Sequence, residues 1–244
     1  MGTVIAVTSG KGGTGKTSIT GGVAASLALM GHTVLCIDMD IGLRNLDITL
    51  GLSDRALMDF SDVALGRCPL ARGAVDHPDV KGLSLLTAPM SLSPSLTIDK
   101  VRAMLDTARG QYDYVLIDSP AGLGAGFRLA ICGADRALVI ATNDASSLRD
   151  AQRTVCELES IRQVHLIMNR IQPKLLRKLR ATIDDAMNTA GLPLIGVVPE
   201  DDQVMLAANL GQPLTAQGRR GAALACWNIA LRLDGNQVPI MRIR

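Results

Sequence analysis

The sequence is short of aromatics, of lysine and of paired cysteines, and each shortage closes off a class of function. Only 2% of the 244 residues are Phe, Trp or Tyr, and they are scattered. A strip of rings for stacking nucleobases is therefore not expected. The five cysteines are Cys36, Cys68, Cys132, Cys156 and Cys226. Their number is odd and no C-x-x-C pair occurs, which argues against a disulfide framework, a zinc site or an iron–sulfur cluster. Cys36 and Cys132 lie in apolar runs and are read as core thiols. His32, His77 and His165 are isolated and are read as surface or loop residues. No apolar run approaches the roughly 18 residues that a membrane-spanning helix needs. Met1-Gly2 passes into Val4-Ile5-Ala6-Val7 without the charged leader of a secretory signal, so a soluble, cytoplasmic protein is expected. The net charge of +2 gives no bulk electrostatic case for nucleic acid or for an anionic membrane.

What is present is an ordinary globular balance, with 48% apolar and 20% charged residues. Short apolar runs at Thr3–Val7, Thr33–Ile37, Leu83–Thr87, Tyr114–Ile117, Ala137–Ala141, Val164–Met168 and Leu194–Val198 read as strands covered on both faces. Helical patterns at Thr17–Met30, Thr97–Ala108, Ser147–Ile161, Lys174–Ala190 and Ala222–Leu233 alternate with them. Ser147-x-x-Asp150 has the form of a capping box that would start the third of these helices. The alternation predicts an α/β fold: a doubly wound, mostly parallel sheet with helices on both faces and right-handed crossovers. Pro69, Pro78, Pro89 and Pro94 punctuate an irregular connection over about 53–96. One domain is expected over 1–234, followed by a short tail over 235–244.

The strongest signal is Gly10-Lys11-Gly12-Gly13-Thr14-Gly15-Lys16-Thr17, which satisfies G-x-x-x-x-G-K-[ST] between a predicted strand and a predicted helix. Glycines allow backbone N–H groups to converge on phosphate oxygens, and the N-terminus of the following helix favours the same anion. Lys16 is expected to reach the β- and γ-phosphates, and Thr17, with Ser18 beside it, to meet Mg²⁺ and phosphate. Two of only six lysines fall in this loop. The second, Lys11, is not needed to cradle a phosphate in its own subunit.

Phosphoryl chemistry also needs acids at the carboxyl ends of strands near the loop. Two segments supply them. In Val34-Leu35-Cys36-Ile37-Asp38-Met39-Asp40, a continued strand would point Asp38 and Asp40 to the same side. In Tyr114-Val115-Leu116-Ile117-Asp118-Ser119-Pro120-Ala121-Gly122, Asp118 ends an apolar strand in the manner of a Walker-B acid, and Gly122 offers a hinge. Asp118 is expected to hold the metal with Thr17. Asp38 and Asp40 are expected to serve water positioning or its support.

With these segments together the chain resembles the MinD/ParA family of deviant Walker-A, or signature-lysine, P-loop ATPases (SIMIBI type), and its MinD branch above all. The resemblance runs through Ser9–Thr17, Asp38–Asp47, Asp118–Gly122, Thr142-Asn143, Ser146–Asp150, Asn169-Arg170 and Gly196–Asp201. It implies an ATP-dependent dimerisation switch in division-site placement that hydrolyses ATP slowly, with Mg²⁺. Lys11 would cross a dimer interface to the partner's nucleotide. Asn169 would meet the purine edge, and Pro199, Glu200 and Asp201 would line the base pocket. The resemblance further implies a MinC-like inhibitor, MinE-like or DivIVA-linked regulators, and location in the cytoplasm with possible contact on the inner face of the cell membrane.

Two departures stand out. Relatives end in a basic amphipathic helix, whereas here Val238-Pro239-Ile240-Met241-Arg242-Ile243-Arg244 holds about one turn at most and supports only weak, avidity-dependent lipid contact. Relatives also carry an acid near Gln152 on the face used by the activator. The competing readings are a ParA-type partition or flagellar-number switch, and a small-molecule kinase built on the same loop. DNA binding through Arg177, Arg180, Arg219 and Arg220 is the less favoured expectation.

Overall fold

The computed structural model describes residues 1–242. Seven parallel strands carry the molecule: β1 (Thr3–Thr8), β2 (Val34–Asp38), β4 (Leu83–Leu86), β5 (Tyr114–Asp118), β6 (Arg136–Ala141), β7 (Gln163–Ile171) and β8 (Leu194–Pro199). A two-residue strand, β3 (Val75–Asp76), adds to one edge and is antiparallel. The sheet order is β3-β4-β2-β5-β1-β6-β7-β8. The central strands are apolar along their whole length because both faces are covered. Alternate residues serve opposite cores: Ile5, Val7, Cys36 and Leu116 face one side, and Val4, Leu35, Ile37, Val115 and Ile117 the other.

The first face is covered by α1 (Lys16–Leu29) and α11 (Gly221–Leu233), with α2 (Leu46–Leu50) and α10 (Asp202–Asn209) beside them. The second carries α3 (Phe60–Ala64), α4 (Leu70–Gly73), α5 (Ile98–Arg109), α6 (Ala125–Ile131), α7 (Ala145–Cys156) and α9 (Ile183–Ala190). A seven-residue helix, α8 (Pro173–Leu179), has no buried residue. Among the described residues, no helix is long and apolar enough to cross a membrane.

Several local expectations change. The helix expected from Ser147 starts at Ala145 and ends at Cys156, and its cap is Asp144, which accepts from the Ser147 amide at 2.9 Å. The Ser147 hydroxyl is engaged elsewhere, accepting from the Thr142 amide at 3.0 Å. The helix expected over Lys174–Ala190 is two helices. Arg180 takes a left-handed backbone (φ 51°) that stops α8, and Thr182 with Asp185 builds a capping box that starts α9. The stretch over 53–96 is less irregular than its prolines suggest. It contains α3, whose Asp59–Asp62 capping box is complete, then α4 and the β3–β4 pair. Helices α6 and α10 have no counterpart in the sequence reading.

His77 is buried rather than on a loop surface. Its Nδ1 accepts from the Asp79 and Val80 amides at 3.1 Å, so Nε2–H faces the Leu50 carbonyl at 2.9 Å. Cys36 is fully buried, while Cys132 is only half-buried. The segment after α11 does not trail free. Arg232 donates to the carbonyls of Ile195 (2.8 Å) and Val238 (2.9 Å), and Met241 packs against the core. Ile243 and Arg244, the end of the predicted tail, lie outside the described residues.

Candidate functional site

The register of the sheet determines what meets at its carboxyl edge. Asp118 is paired with Val7 on one side and with Asp38 on the other. The two strand-end acids therefore share one row, and the loop leaving β1 passes directly over them. Gly15 takes a left-handed conformation (φ 89°) as that loop turns into α1. A side chain there would also run into the Asn169 amide, so both backbone and space require glycine.

Lys16 is 7% exposed, and its Nζ donates to Ser9 Oγ at 3.1 Å. Ser9 is a hub that sequence reasoning did not select: its hydroxyl also accepts from Thr14 Oγ1 at 3.0 Å and donates to the Lys11 carbonyl at 2.6 Å. Burial pulls the Lys16 pKa below its usual value, with Asp118 and Asp40 opposing that shift. A buried ammonium has three donors, and one of those of Lys16 meets a neutral hydroxyl. The remaining capacity suits polyanionic oxygens delivered to the loop.

Below it, Thr17 Oγ1 donates to Asp118 Oδ2 at 2.7 Å, and Thr20 Oγ1 reaches Asp118 Oδ1 at 3.3 Å. Burial pushes the Asp118 pKa up to about 7, and the charges of Asp38 and Asp40 add to the rise. A hydroxyl and an acid with this electrostatic load form a hard oxygen set that fits Mg²⁺. Thr20, one helical turn beyond Thr17, was missed; its i+3 spacing on α1 was the available signal.

The strand β2 ends at Asp38 and does not continue to Asp40, so the same-side expectation for these two acids fails. Asp38 instead turns back onto its own loop. Its carboxylate accepts from the Asp40 amide at 2.9 Å and the Leu46 amide at 3.2 Å. Burial raises its pKa to about 6. Asp40 is half-exposed and close enough to Lys16 to feel its charge; desolvation raises its pKa and Lys16 lowers it. Asp38 thus shapes the 40–46 loop, while the Asp40 carboxylate is left free of its own strand and within the electrostatic reach of Lys16.

A cleft of about 340 Å³ opens beside the loop, lined by Ser18, Asn169, Pro199, Glu200 and Asp201, among others. Asn169 Nδ2 donates to the Thr14 carbonyl at 2.8 Å, tying the loop to the end of β7. Arg170 and Glu200 form an ion pair at 2.9 Å across the cleft mouth. Asp201 lines the cleft, but its carboxylate is committed to backbone, accepting from the Gln203 amide (3.0 Å) and the Ala222 amide (2.8 Å). A more open cleft of about 600 Å³ lies at the opposite end of the sheet, bordered by His32, Arg109 and Tyr112. None of the loop, lysine or acid groups reaches it.

The description "CobQ/CobB/MinD/ParA nucleotide binding domain" matches residues 5–214. The chain belongs to this nucleotide-binding family. Within the MinD/ParA family its curated relatives include septum site-determining proteins MinD. That of Synechocystis sp. is 36% identical over 99% of this chain and 92% of its own length. That of Helicobacter pylori is 38% identical, covering 100% and 95%. Among solved structures, the MinC:MinD complex of Aquifex aeolicus aligns with TM-score 0.91 at 36% identity, over 98% of each chain. MinD of Pyrococcus horikoshii complexed with Mg-ADP aligns with TM-score 0.84 at 26% identity, over 96% of each chain. A ParA family ATPase of Chlorobium tepidum shares the fold, with TM-score 0.82 at 20% identity. By these relationships the chain is a MinD-like ATPase, and the eight-stranded sheet is that of the MinD/ParA P-loop fold.

Proposed function

We propose that this MinD-like ATPase acts in division-site placement as a switch that pairs face to face with a second copy around ATP. The observation that carries the reading is the placement of its two loop lysines. Lys16 is buried against Ser9 above the Thr17–Asp118 pair, whereas Lys11 turns its side chain, 45% exposed, to the surface of the loop. One lysine serves the subunit's own phosphates, and the other is available to a partner's.

In this reading Gly10–Thr17 and Ser18 bind the triphosphate, with Lys16 on its terminal phosphates. Thr17 and Asp118 hold Mg²⁺, which neutralises charge on the β- and γ-oxygens. Asp40 orients the attacking water, and Asp38 fixes the loop that carries Asp40. The base enters the cleft between Asn169 and the Pro199–Asp201 turn. Lys11 of one copy stabilises the charge that develops on the other copy's phosphoryl group. The γ-phosphate favours the dimer by whatever extra affinity it has for that state. Residues 1–234 form the switch domain and 235–244 its tail. A MinC-like inhibitor would bind the dimer, and MinE-like or DivIVA-linked partners would regulate its lifetime. Residence would be cytoplasmic, with transient contact at the inner face of the membrane.

The test is the concentration dependence of turnover. Specific ATPase activity should rise with protein concentration, and Lys11→Ala should abolish both that rise and the ATP-dependent dimer seen by sedimentation. A rate independent of concentration that survives Lys11→Ala would refute the switch.

A further inference from the structure

Ser9 is buried beside the phosphate loop, and its hydroxyl makes every bond open to it. A serine hydroxyl has one proton and two lone pairs. The proton goes to the Lys11 carbonyl at 2.6 Å, and the lone pairs accept from Lys16 Nζ at 3.1 Å and Thr14 Oγ1 at 3.0 Å. Thr14 is itself buried, and its carbonyl accepts from Asn169 Nδ2 at 2.8 Å. A single hydroxyl therefore touches both loop lysines, the backbone of Lys11 and the ammonium of Lys16. Thr14 helps to set the direction in which that hydroxyl points.

A local turn explains only part of this arrangement. A serine that bonds the carbonyl two residues ahead is a common turn device, but it needs neither Thr14 nor Lys16. Simple neutralisation of the buried ammonium explains still less, because a carboxylate in place of Ser9 would do that better. A carboxylate would also grip Lys16 with a charge-assisted bond and hold it back from phosphate oxygens. A neutral hydroxyl occupies one of the three ammonium donors and leaves the charge uncompensated. The other two donors are then held in fixed directions. Attraction between an ammonium and a bound triphosphate depends mainly on distance, so ground-state binding tolerates a loosely directed lysine. Charge that builds on the transferring phosphoryl group needs donors already aimed at it.

We propose that Ser9 is a positioning residue for ATP hydrolysis: its hydroxyl, aimed by Thr14, orients the Lys16 ammonium and pins the Lys11 peptide. Ser9 acts through the two lysines and not by touching the nucleotide. The proposal rests on the reading of Lys16 as the cation for the subunit's own phosphates, and not on the pairing of two copies.

The test is steady-state ATP hydrolysis with Mg²⁺ by the full chain, at equal protein concentrations, beside thermal melts without nucleotide. Ser9→Ala should lower kcat about tenfold, as for one lost bond to a charged group, while KM moves less than about threefold. Thr14→Val keeps the shape and removes the hydroxyl; it should lower kcat about threefold. Thr14→Ser should recover most of that loss. The double variant Ser9→Ala/Thr14→Val separates positioning from packing. Ser9→Ala leaves the Thr14 hydroxyl buried without its partner, and removing both groups relieves that cost. The double variant should therefore melt higher than Ser9→Ala yet turn over no faster. Recovery of turnover along with stability, or a Ser9→Ala kcat within about twofold of the parent, overturns the proposal. If Ser9→Ala does not fold, equal kcat values for Thr14→Val and the parent overturn it. Failure of the underlying Lys16 reading would appear separately, as normal hydrolysis by Lys16→Met.

Discussion

Lys11 Nζ lies 3.4 Å from Asp144 Oδ1 and donates to Ser146 Oγ at 2.9 Å, so the lysine is held against the start of its own α7. Asp144 is well suited to hold it. Hydrogen bonds from Ser146, Thr142 and the Ser147 amide, with the charge of Lys11 added, keep its carboxyl far below the usual carboxylate range. In the dimer reading Lys11 must leave this contact to reach a partner, and the contact then opposes pairing. Both side chains are nearly half exposed, at 45% and 49%, so the opposition is small, up to about 1 kcal/mol. Asp144→Asn keeps the α7 cap and weakens the hold. It should tighten ATP-dependent dimerisation roughly twofold to fivefold, read by sedimentation at several protein concentrations. Weaker pairing in that variant would mean that Asp144 assists the dimer.

Lys16 is an ammonium held out of water, with Ser9 as its hydrogen-bond partner. Replacing it with Met removes a buried charge and keeps most of the side-chain volume. Lys16→Met should raise the apo protein's stability by about 1 kcal/mol, as polar-to-apolar changes at strained functional sites often do. The same variant should lose ATP affinity by at least about a hundredfold, because the β- and γ-phosphates lose their cation. Thermal melts without nucleotide and titration with a fluorescent ATP analogue separate the two effects.

The cluster at the end of β2 and β5 predicts a pH dependence of definite sign. Asp118 and Asp38 have pKa values raised from 3.8 to about 7 and about 6, burial being the larger cause in each. A carboxyl whose folded value lies above its unfolded one binds protons more tightly when folded. Its contribution to stability is complete below pH 3.8 and is lost as pH rises through the folded value. The apo melting temperature should therefore fall between about pH 4 and pH 7 through these two groups, and Asp118→Asn should flatten the upper part of that fall. Mg²⁺ binding at Asp118 requires the ionised form, so calorimetry near pH 6 should show proton release that disappears by about pH 8. Proton uptake on Mg²⁺ binding would contradict the assignment of Asp118.

Much of this architecture was legible because its signals are local. The seven parallel strands announce themselves as apolar runs, and Gly10–Thr17 specifies the loop and its helix together. What escaped was decided by competition between neighbours. Asp144 and Ser147 can both cap a helix, but Ser147 is drawn back to the Thr142 amide and Asp144 takes the cap. The break at Arg180 needs a left-handed arginine, which composition does not advertise. Ser9 had no signal of its own until the folded loop brought Lys16, Thr14 and the Lys11 carbonyl around its hydroxyl, and the i+3 spacing of Thr20 from Thr17 gained a meaning only once Asp118 lay beneath both. Asp38 was expected to share a side with Asp40, but it bonds backbone eight residues ahead, at Leu46, a contact with no periodic signature.

Asp201 carries the last prediction, because its sequence neighbourhood and its bonds suggest different roles. The residue borders the cleft expected to take the base, yet both of its oxygens are spent on helix starts, at Gln203 of α10 and Ala222 of α11. Each such cap is worth about 1 kcal/mol, and the second tethers α11, which packs against α1. Asp201→Ala should cost about 2 kcal/mol, which for a chain of this length is a fall of roughly 4–8 °C in melting temperature. Asp201→Asn, which caps nearly as well, should recover most of the Gln203 cap. A residue that read the base directly would behave differently: both variants would lose ATP affinity at unchanged apo stability. Parallel melts and nucleotide titrations on the two variants separate these outcomes, and the hydrogen bonds predict that stability moves first.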